Sequence, residues 1–159
     1  MRPPRIDSPD SFQAAFGVSR ETLDRLRTYA NLLARWQKTI NLVAPSTIDD
    51  VWHRHFADSA QLWQYRPPDA RTWLDLGSGA GFPGLVLAIL GADSGSRHVL
   101  VESDNRKAAF LREVARETGV AVDILCMRIE NAETRAKVGA VHCVTARALA
   151  PLPRLVELV

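Results

Sequence analysis

Apolar positions over the first 65 residues recur at steps of three and four. Leu23, Leu26, Ala30, Leu33, Trp36 and Ile40 form one stripe, which predicts a long amphipathic helix. Ser19 is placed to cap it, and Glu21 lies in the first turn, where the helix dipole favours a carboxylate. Pro45 and Ser46 break the period, and Thr47 is placed to cap a second helix beginning IDDVWHRHF. RPPDAR, residues 66–71, reads as a linker, because proline is not tolerated inside a helix.

After the linker the period changes. TWLDLG (72–77), HVLVES (98–103), AVDILCM (121–127) and AVHCVTA (140–146) are short and mostly apolar, as buried parallel strands are. FPGLVLAIL reads as a helix with Pro83 in its first turn and Gly91 as its stop. DNRKAAFLREVARETG reads as another, capped by Asp104, striped by Ala108, Leu111 and Ala115, and stopped by Gly119. The alternation predicts an α/β fold: a doubly wound, Rossmann-like sheet over 72–159, preceded by a helical extension over 1–65. Such sheets commonly have about six strands. With four in view and PLPRLVELV opening a further helix, the core reads as C-terminally truncated, its fourth strand an exposed edge.

Composition narrows the class. The 159 residues are 47% hydrophobic and 24% charged, a globular balance rather than a disordered one. No apolar run approaches the roughly 20 residues of a membrane span, so no membrane association is expected. MRPPRIDSPDS lacks the apolar core of a signal peptide and reads as a frayed tail. Cys126 and Cys143 are too few for a disulfide framework, which points to a reduced, cytoplasmic protein. No metal is expected. A net charge of +2, with 17 of 20 basic residues arginine, argues neither for nor against RNA.

The candidate chemistry sits in LDLGSGAGFPG, residues 74–84. GAGFPG formally matches the dinucleotide fingerprint, a weak signal alone. Against a nicotinamide cofactor stand the early Gly77, the acidic Asp75 at the strand end, and Pro83, which removes an N–H from the turn that would cradle a pyrophosphate. The same features suit S-adenosylmethionine, which carries a sulfonium and an ammonium and no phosphate. Asp75 is placed to attract the ammonium, Gly77 and Gly79 to admit close approach, and Glu102, ending the second strand, to hold the ribose hydroxyls.

Together these segments resemble the RsmG (GidB) family of small-subunit ribosomal RNA guanine-N7 methyltransferases, over about Asn41 to Leu152. Asn41 and Leu42, then Arg54, His55, Asp58 and Ser59, resemble the family's N-terminal signature. The glycine loop with its Phe82-Pro83-Gly84 ending, the VESDNRKAAFLREV run, RIENA (128–132) and TARALAPL (145–152) follow in family order. The resemblance implies a class I methyltransferase with cofactor contacts at Gly77, Phe82, Ile129, Glu130 and Arg147. It also implies positioning roles for Arg54, His55 and Arg147 beside the methyl group or the RNA. Arg54 and Asp58 stand at i,i+4, which a plain salt bridge with a capping Ser59 would also explain.

The implied substrate is a guanosine of 16S ribosomal RNA, alone or within the small subunit. Guanine N7 offers an in-plane lone pair and no proton, so in-line positioning suffices and no general base is needed. A base so reached must be unstacked, with Phe82, Trp52 or Arg147 as candidates to stack on it. An NAD(P)-dependent oxidoreductase and a non-catalytic RNA- or partner-binding fragment stay open as alternatives.

Overall fold

The computed structural model describes residues 4–158. Residues 1–3 of the expected tail lie outside the described residues, and from Ile6 onward the tail is held, with Ile6 N donating to His53 Nδ1 at 3.3 Å and Ser8 capping a helix. Pro9–Phe16 forms helix α1, closed by a capping box in which Ser8 and Ser11 satisfy one another's backbone N–H, and Phe12 is fully buried. Helix α2, Arg20–Trp36, carries the expected stripe and the expected Ser19 cap. It ends before Ile40, because the Gln37 side chain captures the chain beyond it. Gln37 Oε1 accepts from Leu42 N at 3.1 Å and Val43 N at 3.0 Å, and Nε2 donates to Val43 O at 2.8 Å.

The second helix is not one helix. Pro45–Asp50 is a 3₁₀ turn, Trp52–Ala57 a π-helical turn, Asp58–Ala60 a short α3, and Gln61–Tyr65 a second 3₁₀ turn. Thr47 therefore does not cap: it is buried, and its hydroxyl donates to Ala44 O at 2.7 Å.

The core is a parallel sheet of β1 (Thr72–Leu76), β2 (Arg97–Val101), β3 (Asp123–Leu125) and β4 (Cys143–Ala146), in the order β3-β2-β1-β4. The strands are shorter than their apolar runs suggest, since the flanking residues turn into the loops that build the site. Helices α4 (Gly84–Leu90) and α5 (Asn105–Thr118) cross over between β1, β2 and β3. Helix α6 (Ala132–Val138), which the pattern did not announce, is capped by the Asn131 side chain accepting from Glu133 N at 2.9 Å. It leads back to β4, and α7 (Leu152–Leu158) follows. The chain thus winds outward from β1 to β3 and then returns to the other side of β1.

Period-two alternation sorts the strands between two cores. Leu74, Leu76, Val99 and Val101 pack with Val138 on the α6 face. Leu100 packs on the other face with α4, α5 and the N-terminal helices, whose Leu26, Tyr29 and Leu33 share a single apolar cluster with Leu85 and Phe110. The helical extension is therefore packed against the sheet's helical layer, next to the carboxyl ends of β1 and β4.

Candidate cofactor site

Ligands of open α/β sheets bind outside the carboxyl ends of the strands, where the winding reverses. In this fold that place lies between β1 and β4, and a cleft of about 340 Å³ is there. Gly77, Gly79, Glu102, Ile129, Glu130 and Arg147 line it together, although they come from four separate loops. Six of the residues singled out from sequence thus converge on one surface.

The glycine loop is shaped from both sides. Gly77, at φ +65°, turns the chain out of β1 in a conformation that side-chain-bearing residues rarely adopt. Glu102 Oε2 accepts from Gly79 N at 2.7 Å, and Oε1 accepts from Asp104 N at 2.9 Å. One buried carboxylate thereby clamps the β1 loop to the start of α5. Its remaining lone pairs are free to accept from a ligand hydroxyl.

The opposite side of the loop is braced by a residue the sequence reading passed over. Tyr29 of α2 is fully buried, its hydroxyl donates a short hydrogen bond to Ala80 O, and its ring stacks on Phe82 at 5.3 Å. Its spacing was a signal: it lies three residues after Leu26 and four before Leu33, within the stripe. Ser103, Lys107, Met127, Ala148 and Leu149 also line the cleft without having been foreseen. Lys107 lies in the first turn of α5 and the others in loops, and their approach to the cleft depends on the crossovers.

Asp75 does not stand at the lip of the strand. It is 3% exposed and faces α4, where Thr145 Oγ1 donates to its Oδ1 at 2.7 Å and Gly84 lies against it. It is absent from the cleft lining. Its place ties β1 to β4 and to the start of α4, so its influence on the cleft passes through those elements. Burial pushes its carboxyl up to about 6, against the hydrogen bond from Thr145 and the charge of Arg147.

That shift has a sign. A carboxyl raised in the fold gives stability that is complete below the unfolded pKa, near 3.9, and lost as pH rises through about 6. Asp75→Asn, which cannot ionise, should therefore gain on the parent as pH rises, by at most about 3 kcal/mol at neutral pH. Urea unfolding of both proteins at pH 4.5 and 7.5 measures this. A gap that stays constant or shrinks with pH would mean that burial does not govern the group.

Phe82 is likewise no free stacking surface. It is 4% exposed and enclosed by Tyr29, by His55 at 4.9 Å and by an edge contact with Phe56 at 5.3 Å, while the Arg147 guanidinium lies 5.2 Å above it. Trp52 stacks on Phe56 at 4.7 Å inside the helical extension. Neither ring is presented to an incoming base: Phe82 is closed in by the helical extension, and half-buried Trp52 is packed on Phe56 and Phe12. Of the three stacking candidates only Arg147 lines the cleft.

The expected Arg54–Asp58 pair is replaced by another. Asp58 Oδ2 instead meets Arg147 Nη1 at 3.4 Å, across 89 residues of sequence. Ser59 does not cap; it is buried and its Oγ has no partner. His55 is buried, with Nδ1 2.7 Å from Arg147 Nη2. Arg54 is exposed and offers its carbonyl to Arg147 Nη1 at 3.5 Å. The helical extension thus grips the side chain that follows β4, and through it reaches the cleft.

Among the described residues no cluster of three or more His, Cys, Asp or Glu side chains is arranged to hold a metal ion. None of the helices there is long and apolar enough to cross a membrane.

The strand order, the glycine loop and the cleft at the reversal of winding define a class I methyltransferase fold. An O-methyltransferase from Bacillus cereus, solved in complex with SAH, superposes with a TM-score of 0.56 at 16% identity, covering 95% of this chain and 68% of that one. The family model for rRNA small subunit methyltransferase G matches residues 22–159, and the chain belongs to that family. The ribosomal RNA small subunit methyltransferase G of Rhodospirillum centenum is 60% identical over 147 residues, and that of Paramagnetospirillum magneticum 56% over 147. Each alignment covers 92% of this chain, and the chain spans 65% and 68% of those relatives' lengths.

Proposed function

We propose that this chain binds S-adenosylmethionine in the cleft and serves the methylation of N7 of a guanosine in 16S ribosomal RNA, in the cytoplasm. The observation that carries the reading is the convergence of Gly77, Gly79, Glu102, Ile129, Glu130 and Arg147 at the carboxyl ends of the strands. The lining matches the ligand's chemistry part by part. Glu102 keeps acceptor capacity for two ribose hydroxyls, Ile129 offers apolar contact to the adenine, and Glu130 is placed to take its amine. The bare backbone at Gly77 and Gly79 admits the methionine chain, and Arg147 supplies a cation for its carboxylate. Asp75 acts on the ammonium only indirectly, through the elements it joins.

When bound, S-adenosylmethionine would supply a methyl on a sulfonium sulfur: N7 would bond to the methyl carbon as the carbon–sulfur bond breaks, leaving a neutral thioether and the positive charge on the base. Side chains here need only align the two partners and keep water out. Arg54, exposed beside Arg147, is placed to meet RNA phosphate, and Arg147 spans the junction between the two partners.

Titration calorimetry of the chain with S-adenosylmethionine and, separately, with NADH tests the cofactor. One-site binding of the first alone is expected; binding of NADH alone would sink the reading. Transfer of labelled methyl to small subunits and to naked 16S RNA, followed by nucleoside analysis, is expected to yield 7-methylguanosine. Label in any other nucleoside would overturn the choice of N7.

A further inference from the structure

We propose that Thr47 and His55 are positioning residues for Arg147. Thr47 holds the His55 ring in the neutral tautomer protonated on Nε2, so that Nδ1 accepts from the guanidinium and keeps it over the cleft. The inference rests on reading Arg147 as a contact of the bound cofactor.

Hydrogen-bond accounting assigns the tautomer from both ends. Thr47 Oγ1 has one hydrogen, and it is directed to Ala44 O at 2.7 Å. The same oxygen lies 2.7 Å from His55 Nε2, so that contact requires the ring nitrogen to donate. At the other end Arg147 Nη2 lies 2.7 Å from Nδ1, and a guanidinium has only donors, so Nδ1 must accept. Two independent constraints select one tautomer.

Charge agrees with this. An imidazolium here would be buried beside two guanidinium groups; burial first, then Arg147 and Arg54, lower the His55 pKa to about 4, with Asp58 and Asp50 opposing. The ring is therefore neutral near pH 7. Its plane is held by stacking on Phe82 at 24°, the same ring over which Arg147 lies. The guanidinium is thus seated by Nδ1 below, Asp58 Oδ2 and the Arg54 carbonyl at one side, and the Phe82 face. Thr47, buried and more than eighty residues away in sequence, is the far end of this chain of contacts.

The test separates this inference from the cofactor reading. Long-range proton–nitrogen NMR of the ¹⁵N-labelled parent at pH 7 should show His55 protonated at Nε2 and bare at Nδ1, its signal assigned by its loss in His55→Asn. A ring protonated at Nδ1 overturns the proposal whether or not any ligand binds. S-adenosylmethionine affinity is then compared among variants whose unfolding shows them intact. His55→Asn keeps an acceptor oxygen near the position of Nδ1 and should bind within about threefold of the parent. His55→Gln reaches toward Thr47 but leaves no acceptor for Arg147, and should lose at least about tenfold. Thr47→Val should shift the tautomer signal and weaken binding by a smaller factor. Equal affinity of the Asn and Gln variants would overturn the positioning role. If the parent binds no S-adenosylmethionine, the cofactor reading fails, and the tautomer spectrum still decides this one.

Discussion

Gly84→Ala is expected to destabilise the fold by about 3 kcal/mol, although it places alanine at the start of a helix. Glycine to alanine in an ordinary helix gains about 1 kcal/mol, because alanine loses less backbone entropy on folding. Here a Cβ on Gly84 would sit 2.5 Å from Asp75 Cβ and 2.6 Å from Asp75 Cγ. The Cβ of Asp75 is fixed by the β1 backbone and cannot rotate aside. Relief therefore requires α4 to move off the sheet, which breaks packing that leaves Leu85, Val86 and Ile89 fully buried. The overpacking cost outweighs the helical gain. Urea unfolding midpoints measure the sum, and the cause is isolated by repeating the substitution in an Asp75→Gly background, where the loss should shrink markedly. A neutral or stabilising Gly84→Ala would show that α4 and β1 do not meet as described.

The second large effect is on binding. Glu102→Gln is expected to lower affinity for S-adenosylmethionine by about a hundredfold or more, in a protein that still folds. The carboxylate accepts from two backbone N–H groups with two different oxygens. An amide has one acceptor oxygen, so its NH₂ must face one of the two donors. Either Gly79 N or Asp104 N then loses a charge-assisted bond, and the glycine loop is released from α5. The same change leaves only one acceptor oxygen where two ribose hydroxyls would use both. Calorimetry on the parent and the variant, each with a matched thermal unfolding, gives the ratio. An affinity within about threefold of the parent would place the cofactor away from Glu102.

Much of the architecture was legible in the chain. Asp104 caps α5, Gly119 ends it, Ser19 caps α2, and the sheet winds in parallel as the alternation of apolar runs indicated. Local chemistry suffices for these, since a cap or a stop acts on the residues next to it. The glycine loop announced itself for the same reason. Glu102 was readable from its strand end, the place where such sheets bind, whereas Ile129, Glu130 and Arg147 were singled out by the family resemblance.

The misplaced residues share a different character. Asp75 was assigned to the cleft because strand position is readable, but the face on which a residue lies is not. In a strand covered on both sides the apolar alternation disappears, and only the crossovers decide that Asp75 faces α4 while Leu76 faces α6. Phe82 and Trp52 are aromatic residues, and nothing local distinguishes a base-stacking ring from a core ring. The π-helical turn over Trp52–Ala57 settled it by carrying His55 and Phe56 inward. The Arg54–Asp58 pair was plausible at helical spacing, yet Asp58 meets a guanidinium brought back by β4.

By itself, then, the sequence determined the class of fold, the capped helices, the glycine turn and the strand ends that gather the cleft, because each depends on neighbours along the chain. Only the tertiary structure decided that Tyr29 braces the glycine loop, that Asp75 is buried beneath α4, and that Thr47, His55 and Arg147 form one line of contacts. Those outcomes depend on which residues meet across dozens of positions, and that is set by how the layers pack rather than by any local preference.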